Sequence, residues 1–261
     1  MKKKIFILGG NGVLGADLVR FLGADHETVA ITRDNYQEYV GQSCDVLINA
    51  NGNSRRFWAN QNILPDFEAS TLSVYRSLFD FKFEKYIYIS SSDAYPDHGN
   101  ASVAVETTTI NGSGLCAYGF HKYLSEQIVK HQAGRYLILR CSLMLGSTLK
   151  KGPIFDLLNG NQLFITPDTR LQMITTDAVA GVISALLEKG LDGEIFNVGG
   201  TGTVKFAEID KFIKADPVYS PEGENQLYEM NVEKISSVYP VKSSEDYLKQ
   251  FINSNHKQYA V

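Results

Sequence analysis

The sequence predicts an α/β chain built on a doubly wound parallel sheet, with one outer strand missing and a small C-terminal lobe appended. Three observations predict it. Short apolar runs alternate with stretches of helical spacing. A glycine cluster joins the first run to the first helical stretch. Finally, only twelve residues, 33–44, separate the second apolar run from the third.

Residues 4–8 form a short apolar strand, and residues 13–22 then space Val13, Leu14, Leu18, Phe21 and Leu22 along one helical face. Strands follow at 28–32 and 45–50. Helical spacing covers 67–81, a strand 86–90, a helix 118–131 and a strand 136–141. The last helix–strand pair lies at 177–189 and 194–198. Right-handed crossovers force such an alternation into a parallel sheet covered on both faces. The stretch 33–44 is too short for the helix–strand–helix excursion that an outer strand needs, so that strand is missing or vestigial. Residues 1–146 and 171–199 make up the main domain. Residues 147–170 and 200–261 are less regular, carry Pro153, Pro167, Pro217, Pro221 and Pro240, and form the small lobe. The cleft between the two parts is the expected place for a small molecule.

Composition narrows the partners. Of the 261 residues, 44% are hydrophobic and 21% charged, and the net charge is −4. That suits a soluble globular chain with a continuous core and offers no basic surface for nucleic acid. Lys2, Lys3 and Lys4 precede an apolar run that Gly9 and Gly10 cut short. The run is too brief for a signal-peptide core or a membrane span. Cys44, Cys116 and Cys141 lack metal-ligand spacing and read as reduced thiols, so no metal is expected and the location is cytoplasmic.

Gly9, Gly12 and Gly15 stand three apart, with Asn11, Val13 and Leu14 between them, where the first strand turns into the first helix. Gly9 suits a tight turn, Gly12 a close backbone approach to pyrophosphate, and Gly15 close helix–strand packing. The helix N-terminus then offers free N–H groups to the phosphates. This is a Rossmann-like, dinucleotide-binding arrangement. Arg33 ends the second strand, where a basic residue favours the 2′-phosphate of NADP, while adjacent Asp34 keeps NAD open.

Tyr118 and Lys122 lie four apart on one helical face, where a lysine ammonium helps a phenol exchange protons. With 14 tyrosines in the chain such a pair means little alone. Its position gives it weight: it follows the strand that ends at Ser90, Ser91, Ser92 and Asp93, and strand carboxyl ends are where ligands bind in these folds.

Together, GGNGVLG (9–15), SSSDAYP (90–96), YGFHK (118–122) and GEIFNVGG (193–200) resemble the extended short-chain dehydrogenase/reductases, the NAD-dependent epimerase/dehydratase family, in its sugar-nucleotide-modifying branch. The resemblance runs over about residues 3–213. It implies that Tyr118 is the acid/base, that Lys122 holds the cofactor ribose and tunes Tyr118, and that Ser91 hydrogen-bonds the reacting oxygen. It places Gly9, Asn11, Gly12, Val13, Leu14, Gly15, Ala50 and Asn51 along the cofactor, and Ser92, Asp93 and Arg170 toward substrate. It also implies a homodimer paired through the catalytic helix and the one before it, using Leu72, Val74, Tyr75, Leu78 and Phe79 with Phe120, Tyr123, Leu124 and Val129.

Two departures shape the expected activity. Ser92 stands where family dehydratases carry an Asp that protonates the leaving hydroxyl, which speaks against dehydration. Asp93 stands where fucose-nucleotide synthases of the family carry a Cys. With Arg33 and the intact trio, this points to reduction of a keto group on a nucleotide-linked deoxysugar, with NADP preferred and NAD allowed. The alternatives are an NAD-dependent nucleotide-sugar epimerase and a non-catalytic NAD(P)-sensing protein. Arg55, Arg56 and Trp58 replace the family's small residues after the third strand, and suit either a substrate phosphate or a solvated loop.

Overall fold

A computed structural model of the chain describes residues 2–53 and 55–261. In chain order the first half holds β1 (Lys4–Leu8), α1 (Val13–Leu22), β2 (Glu27–Ile31), α2 (Tyr36–Tyr39), β3 (Ser43–Asn49), α3 (Arg56–Gln61), α4 (Ile63–Phe67), α5 (Ser73–Asp80), β4 (Lys82–Ser91), α6 (Ala117–Gln132) and β5 (Tyr136–Cys141). The second half holds β6 (Leu143–Leu145), α7 (Pro153–Leu158), β7 (Gln162–Ile165), β8 (Arg170–Leu171), β9 (Met173–Thr175), α8 (Thr176–Glu188), β10 (Glu194–Val198), β11 (Val204–Lys205), β12 (Val218–Glu224), β13 (Leu227–Tyr228), α9 (Glu233–Ser236) and α10 (Ser244–Asn255).

Six strands make one sheet in the order β10-β5-β4-β3-β1-β2, parallel at every pairing. Among the described residues, no strand lies beyond β2. The stretch after β2 holds only the four-residue α2 before the chain re-enters the sheet as β3, beside β1. The missing outer strand is therefore a direct result of the short connection.

Both faces of the sheet are covered. Ile5, Ile7, Val46, Ile48, Ile87, Leu137 and Leu139 face α1 and α8, meeting Leu14, Leu18, Val179, Val182, Ile183 and Leu186. Phe6, Leu47, Tyr86, Tyr88 and Ile138 face the other way, onto Val74 of α5 and Val129 of α6. Strand alternation sorts the residues, and near-continuous apolar runs are what a sheet buried on both faces requires. Val74 and Val129, which the family resemblance assigned to a subunit interface, are both 0% exposed and belong to this core.

A second apolar cluster joins Ile154, Leu157 and Leu158 of α7, Leu163 and Ile165 of β7, Val204, Phe206, Ile209 and Phe212, and Leu248, Phe251 and Ile252 of α10. The C-terminal segment serves both cores, since Val232, Ile235 and Tyr247 are buried in the sheet cluster. Among the described residues, no helix is long and apolar enough to cross a membrane.

The helix before β4 begins earlier than the 67–81 spacing predicts. α4, a π turn at Glu68–Leu72 and α5 follow one another without a break from Ile63 to Asp80. The π turn buries Ser70 and Thr71 against α6, where Thr71 Oγ1 donates to the His121 carbonyl at 3.2 Å. Hydrophobic periodicity does not reveal a π turn, because the turn shifts the phase of the pattern midway.

Candidate active site

The glycine turn leaves β1 with Gly9 at φ 76, a left-handed conformation that glycine adopts without cost. A side chain there would strike the Ala50 carbonyl oxygen at 2.9 Å, so the turn lies directly on Ala50 and Asn51. A methyl on Gly15 would overlap the Gly9 carbonyl, which is why α1 can start so close beneath the turn. The helix opens at Gly12 with no side-chain cap and no acidic residue in its first turn. Its first N–H groups are therefore free for an anion. Asp17, one turn further, is 3% exposed and accepts from Ser147 Oγ at 2.7 Å and Thr176 Oγ1 at 2.6 Å, fixing α1 to α8 and to the loop after β6. Cradle, open helix end and the adjoining Ala50–Asn51 backbone fit a dinucleotide pyrophosphate. Arg33 is exposed just beyond β2, in a turn held by Asn35 Oδ1, which accepts from Thr32 N at 2.7 Å.

The Ser91, Tyr118 and Lys122 side chains converge at the carboxyl end of β4. Tyr118 and Lys122 are 7% and 6% exposed, and the Tyr118 phenol lies beside Ser91. Lys122 Nζ donates to the Ile89 carbonyl at 3.2 Å, lies over the Tyr88 ring at 5.3 Å, and borders Gly52. The glycine inside YGFHK makes the convergence possible. A methyl on Gly119 would overlap the Asp93 carbonyl oxygen, so α6 rests directly on the turn Ser92–Ala94. From α3, Asn60 Oδ1 accepts from Tyr118 N at 3.1 Å and caps α6 from outside the helix. Tyr95, four residues after Ser91, is 1% exposed, and its hydroxyl donates to Asn197 at 2.9 Å, anchoring the far end of the turn.

Burial and the Asp93 carboxylate push the Tyr118 phenol above its ordinary value, while the neighbouring Ser91 side chain pulls it down. Burial lowers Lys122 to about 8, against the pull of Cys141, Asp66, Glu126 and Asp93. A second positive charge near Tyr118 would lower the phenol toward neutrality, and proton exchange needs that shift.

Ser92 is buried within the turn, 5% exposed. Asp93 is 8% exposed and forms the hub of a second polar group that the sequence did not reveal. Its Oδ2 accepts from Ser91 Oγ at 3.0 Å, and its Oδ1 from Tyr228 Oη at 2.9 Å. Arg56 Nε lies 2.9 Å from the same Oδ1. Arg56 is therefore ion-paired with Asp93, an arrangement that neither sequence alternative named. Tyr228 carried no sequence signal, because it arrives from β13, more than a hundred residues from Asp93. His121, between Tyr118 and Lys122, is 3% exposed, and its Nδ1 meets Asp66 Oδ2 at 2.7 Å. Arg170 is not brought to this group. It is exposed on β8, in electrostatic reach of Asp168 and Glu208, and no hydrogen bond joins it to Ser91, Tyr118 or Lys122.

Solved structures share this architecture. A UDP-galactose 4-epimerase superposes with a TM-score of 0.79 at 16% identity, over 98% of this chain and 99% of its own. A dTDP-4-dehydrorhamnose reductase ortholog from Clostridium acetobutylicum gives 0.78 at 16% identity, over 96% and 99%. The dTDP-4-dehydrorhamnose reductase of Bacillus anthracis, in complex with NADP, gives 0.75 at 17% identity, over 97% and 99%. Among curated proteins none matches this chain in sequence. A sequence profile of the NAD dependent epimerase/dehydratase family matches residues 5–199. With three quarters of its length inside that profile, and with the glycine turn, Ser91, Tyr118 and Lys122 all within the matched span, the chain belongs to the NAD dependent epimerase/dehydratase family.

Proposed function

We propose that the protein is a nicotinamide-dependent reductase of a keto group on a nucleotide-linked sugar, with NADPH as the preferred donor. The observation that carries this reading is the convergence in one place of a pyrophosphate cradle, Gly9 to Gly15 against Ala50 and Asn51, with the Ser91–Tyr118–Lys122 group reached through Gly52. Reductases acting on dTDP-4-dehydrorhamnose share the fold, one of them solved with NADP.

The bound dinucleotide supplies hydride chemistry. Tyr118 donates its phenolic proton to the oxygen that becomes a hydroxyl. Lys122, positioned between Gly52 and Tyr88, contributes the positive charge that lets the phenol release that proton. Ser91 lies beside the phenol. Residues 147–170 and 200–261 form the substrate lobe. Arg33 receives the 2′-phosphate. The three unpaired cysteines fit a cytoplasmic enzyme.

The second reading is a nucleotide-sugar epimerase, favoured by the likeness to a UDP-galactose 4-epimerase. One experiment separates them. Purified protein is denatured and its supernatant analysed for nucleotide, and the protein is then assayed with dTDP-4-dehydro-sugars plus NADPH or NADH, and with UDP-glucose alone. A reductase releases no nucleotide and oxidises NADPH; an epimerase carries tightly bound NAD and converts the UDP-sugar unaided.

We also propose a homodimer. Tyr75, Phe79 and Phe120 are 41%, 62% and 40% exposed on α5 and α6, and Tyr75 and Phe79 pack edge to face with each other at 5.1 Å. Large exposed aromatics on two adjacent helices are what a self-complementary interface uses.

A further inference from the structure

We infer that Asp93 is a positioning residue of this site: its carboxylate aims the Ser91 hydroxyl and, through Tyr228 and Arg56, ties that aim to closure of the substrate lobe. A serine hydroxyl has one hydrogen and rotates freely unless a neighbour fixes it. Here the hydrogen goes to Asp93 Oδ2 at 3.0 Å, and Asp93 N donates back to Ser91 Oγ at 3.2 Å. Ser91 lies beside the Tyr118 phenol, so the carboxylate that fixes Ser91 sets the polar surroundings of that phenol. The other carboxylate oxygen is engaged from two separate parts of the chain. Tyr228 reaches it from β13 at 2.9 Å, and Arg56 from α3 at 2.9 Å.

The assembly is stiff. The Tyr228 ring stacks on His98 at 4.2 Å between centroids, and the Arg56 guanidinium lies 5.9 Å from the same ring. Glu229 N donates to the His98 carbonyl at 2.8 Å, so β13 is fastened to the chain just past the 91–95 turn. β13 also pairs with β8 in the lobe. A movement of the lobe that withdraws Tyr228 therefore removes one of two groups holding Asp93, and with it the restraint on Ser91. Apart from Ser91 itself, the polar partners of the Asp93 carboxylate, Tyr228 and Arg56, come from distant segments. Such a geometry links substrate enclosure to the orientation of the Ser91 hydroxyl.

The turnover part of this inference rests on the reductase reading; the closure part does not. Cys116, half-buried beside Arg56, is a built-in reporter, and Cys44 and Cys141 are buried internal controls. Iodoacetamide labelling of Cys116 is followed by mass spectrometry in wild type, Tyr228→Phe and Asp93→Asn, with thermal unfolding alongside. Labelling at least about threefold faster in both variants, at unchanged NADPH affinity, supports the inference; wild-type labelling in both folded variants overturns it. In the reductase assay, Asp93→Ala lowers kcat about 10- to 100-fold, the worth of one charge-assisted hydrogen bond, with a smaller change in KM. Asp93→Asn keeps an acceptor for Ser91 and restores part of the loss. Wild-type kcat in Asp93→Ala overturns the positioning role. If wild type turns over no dTDP- or UDP-sugar while Cys116 labelling responds as stated, the functional reading fails and the latch stands.

Discussion

Tyr118 and Lys122 share one buried face of α6, and their burial sets what each costs and does. Replacing Tyr118 by Phe removes the proton and keeps the ring. Turnover should fall by about two to four orders of magnitude while NADPH affinity, measured by fluorescence titration, stays within about twofold. Lys122 lends itself to a test without substrate. Burial lowers its ammonium from 10.5 to about 8. Between those values the unfolded chain holds a proton that the folded chain has released, so this group makes stability rise with pH across the window. Compared with Lys122→Met, wild type should gain about 1 kcal/mol per pH unit between pH 8 and 10 in urea melts, and no relative gain below pH 8. Arg33 bears on cofactor choice. One charge-assisted contact to a 2′-phosphate is worth about 1.5–3 kcal/mol, so NADPH should bind about tenfold to a hundredfold tighter than NADH. Arg33→Ala should erase that ratio; equal affinities in wild type would move the case toward the epimerase.

The elements of the site depend on a few close backbone approaches. α6 touches the 92–94 turn through Gly119, where even a methyl overlaps the Asp93 carbonyl. Gly119→Ala should therefore destabilise the fold by about 1–3 kcal/mol by overpacking, and should cut kcat because Tyr118 moves away from Ser91. Full activity with an unchanged melting curve would show that α6 tolerates the shift. These approaches mark what the sequence could tell. Gly9, Gly12 and Gly15, and the Tyr118–Lys122 pair after Ser91, are local patterns whose meaning lies in spacing along one or two elements. The Asp93–Arg56–Tyr228 group is a meeting of three distant segments, and no periodicity encodes it. The π turn at Glu68–Leu72 was hidden for a similar reason: Thr71 Oγ1 donates to the His121 carbonyl of α6, and the Ser70 carbonyl accepts from Ser125 of the same helix. Arg170 shows the reverse case: its suggested role comes from a local motif alone, and the structure places it exposed on β8.

At the scale of the whole molecule, the short 33–44 connection shortens the sheet by a strand, and chain length alone exposed that. The outer helical face was read less well, because Val74 and Val129 share helical spacing with Tyr75, Phe79 and Phe120 but face the sheet. The exposed three carry the assembly prediction. Light scattering at micromolar concentration should give a dimer for wild type and a monomer for Phe79→Glu with Phe120→Glu; a monomeric wild type would refute it. The sheet order has one more effect, on how the chain comes off the ribosome. β1 to β5 lie within residues 4–141 and pair as one parallel sheet, yet the helix that seals one face, α8, begins at Thr176. At about 5–20 residues per second, that face waits some seconds for its cover. During that interval Ile87, Leu137 and Leu139 are open to solvent and to other nascent chains. A chain stalled near Cys141 should therefore be held by chaperones or aggregate, whereas one released past Val198 has both its last strand and its sealing helix.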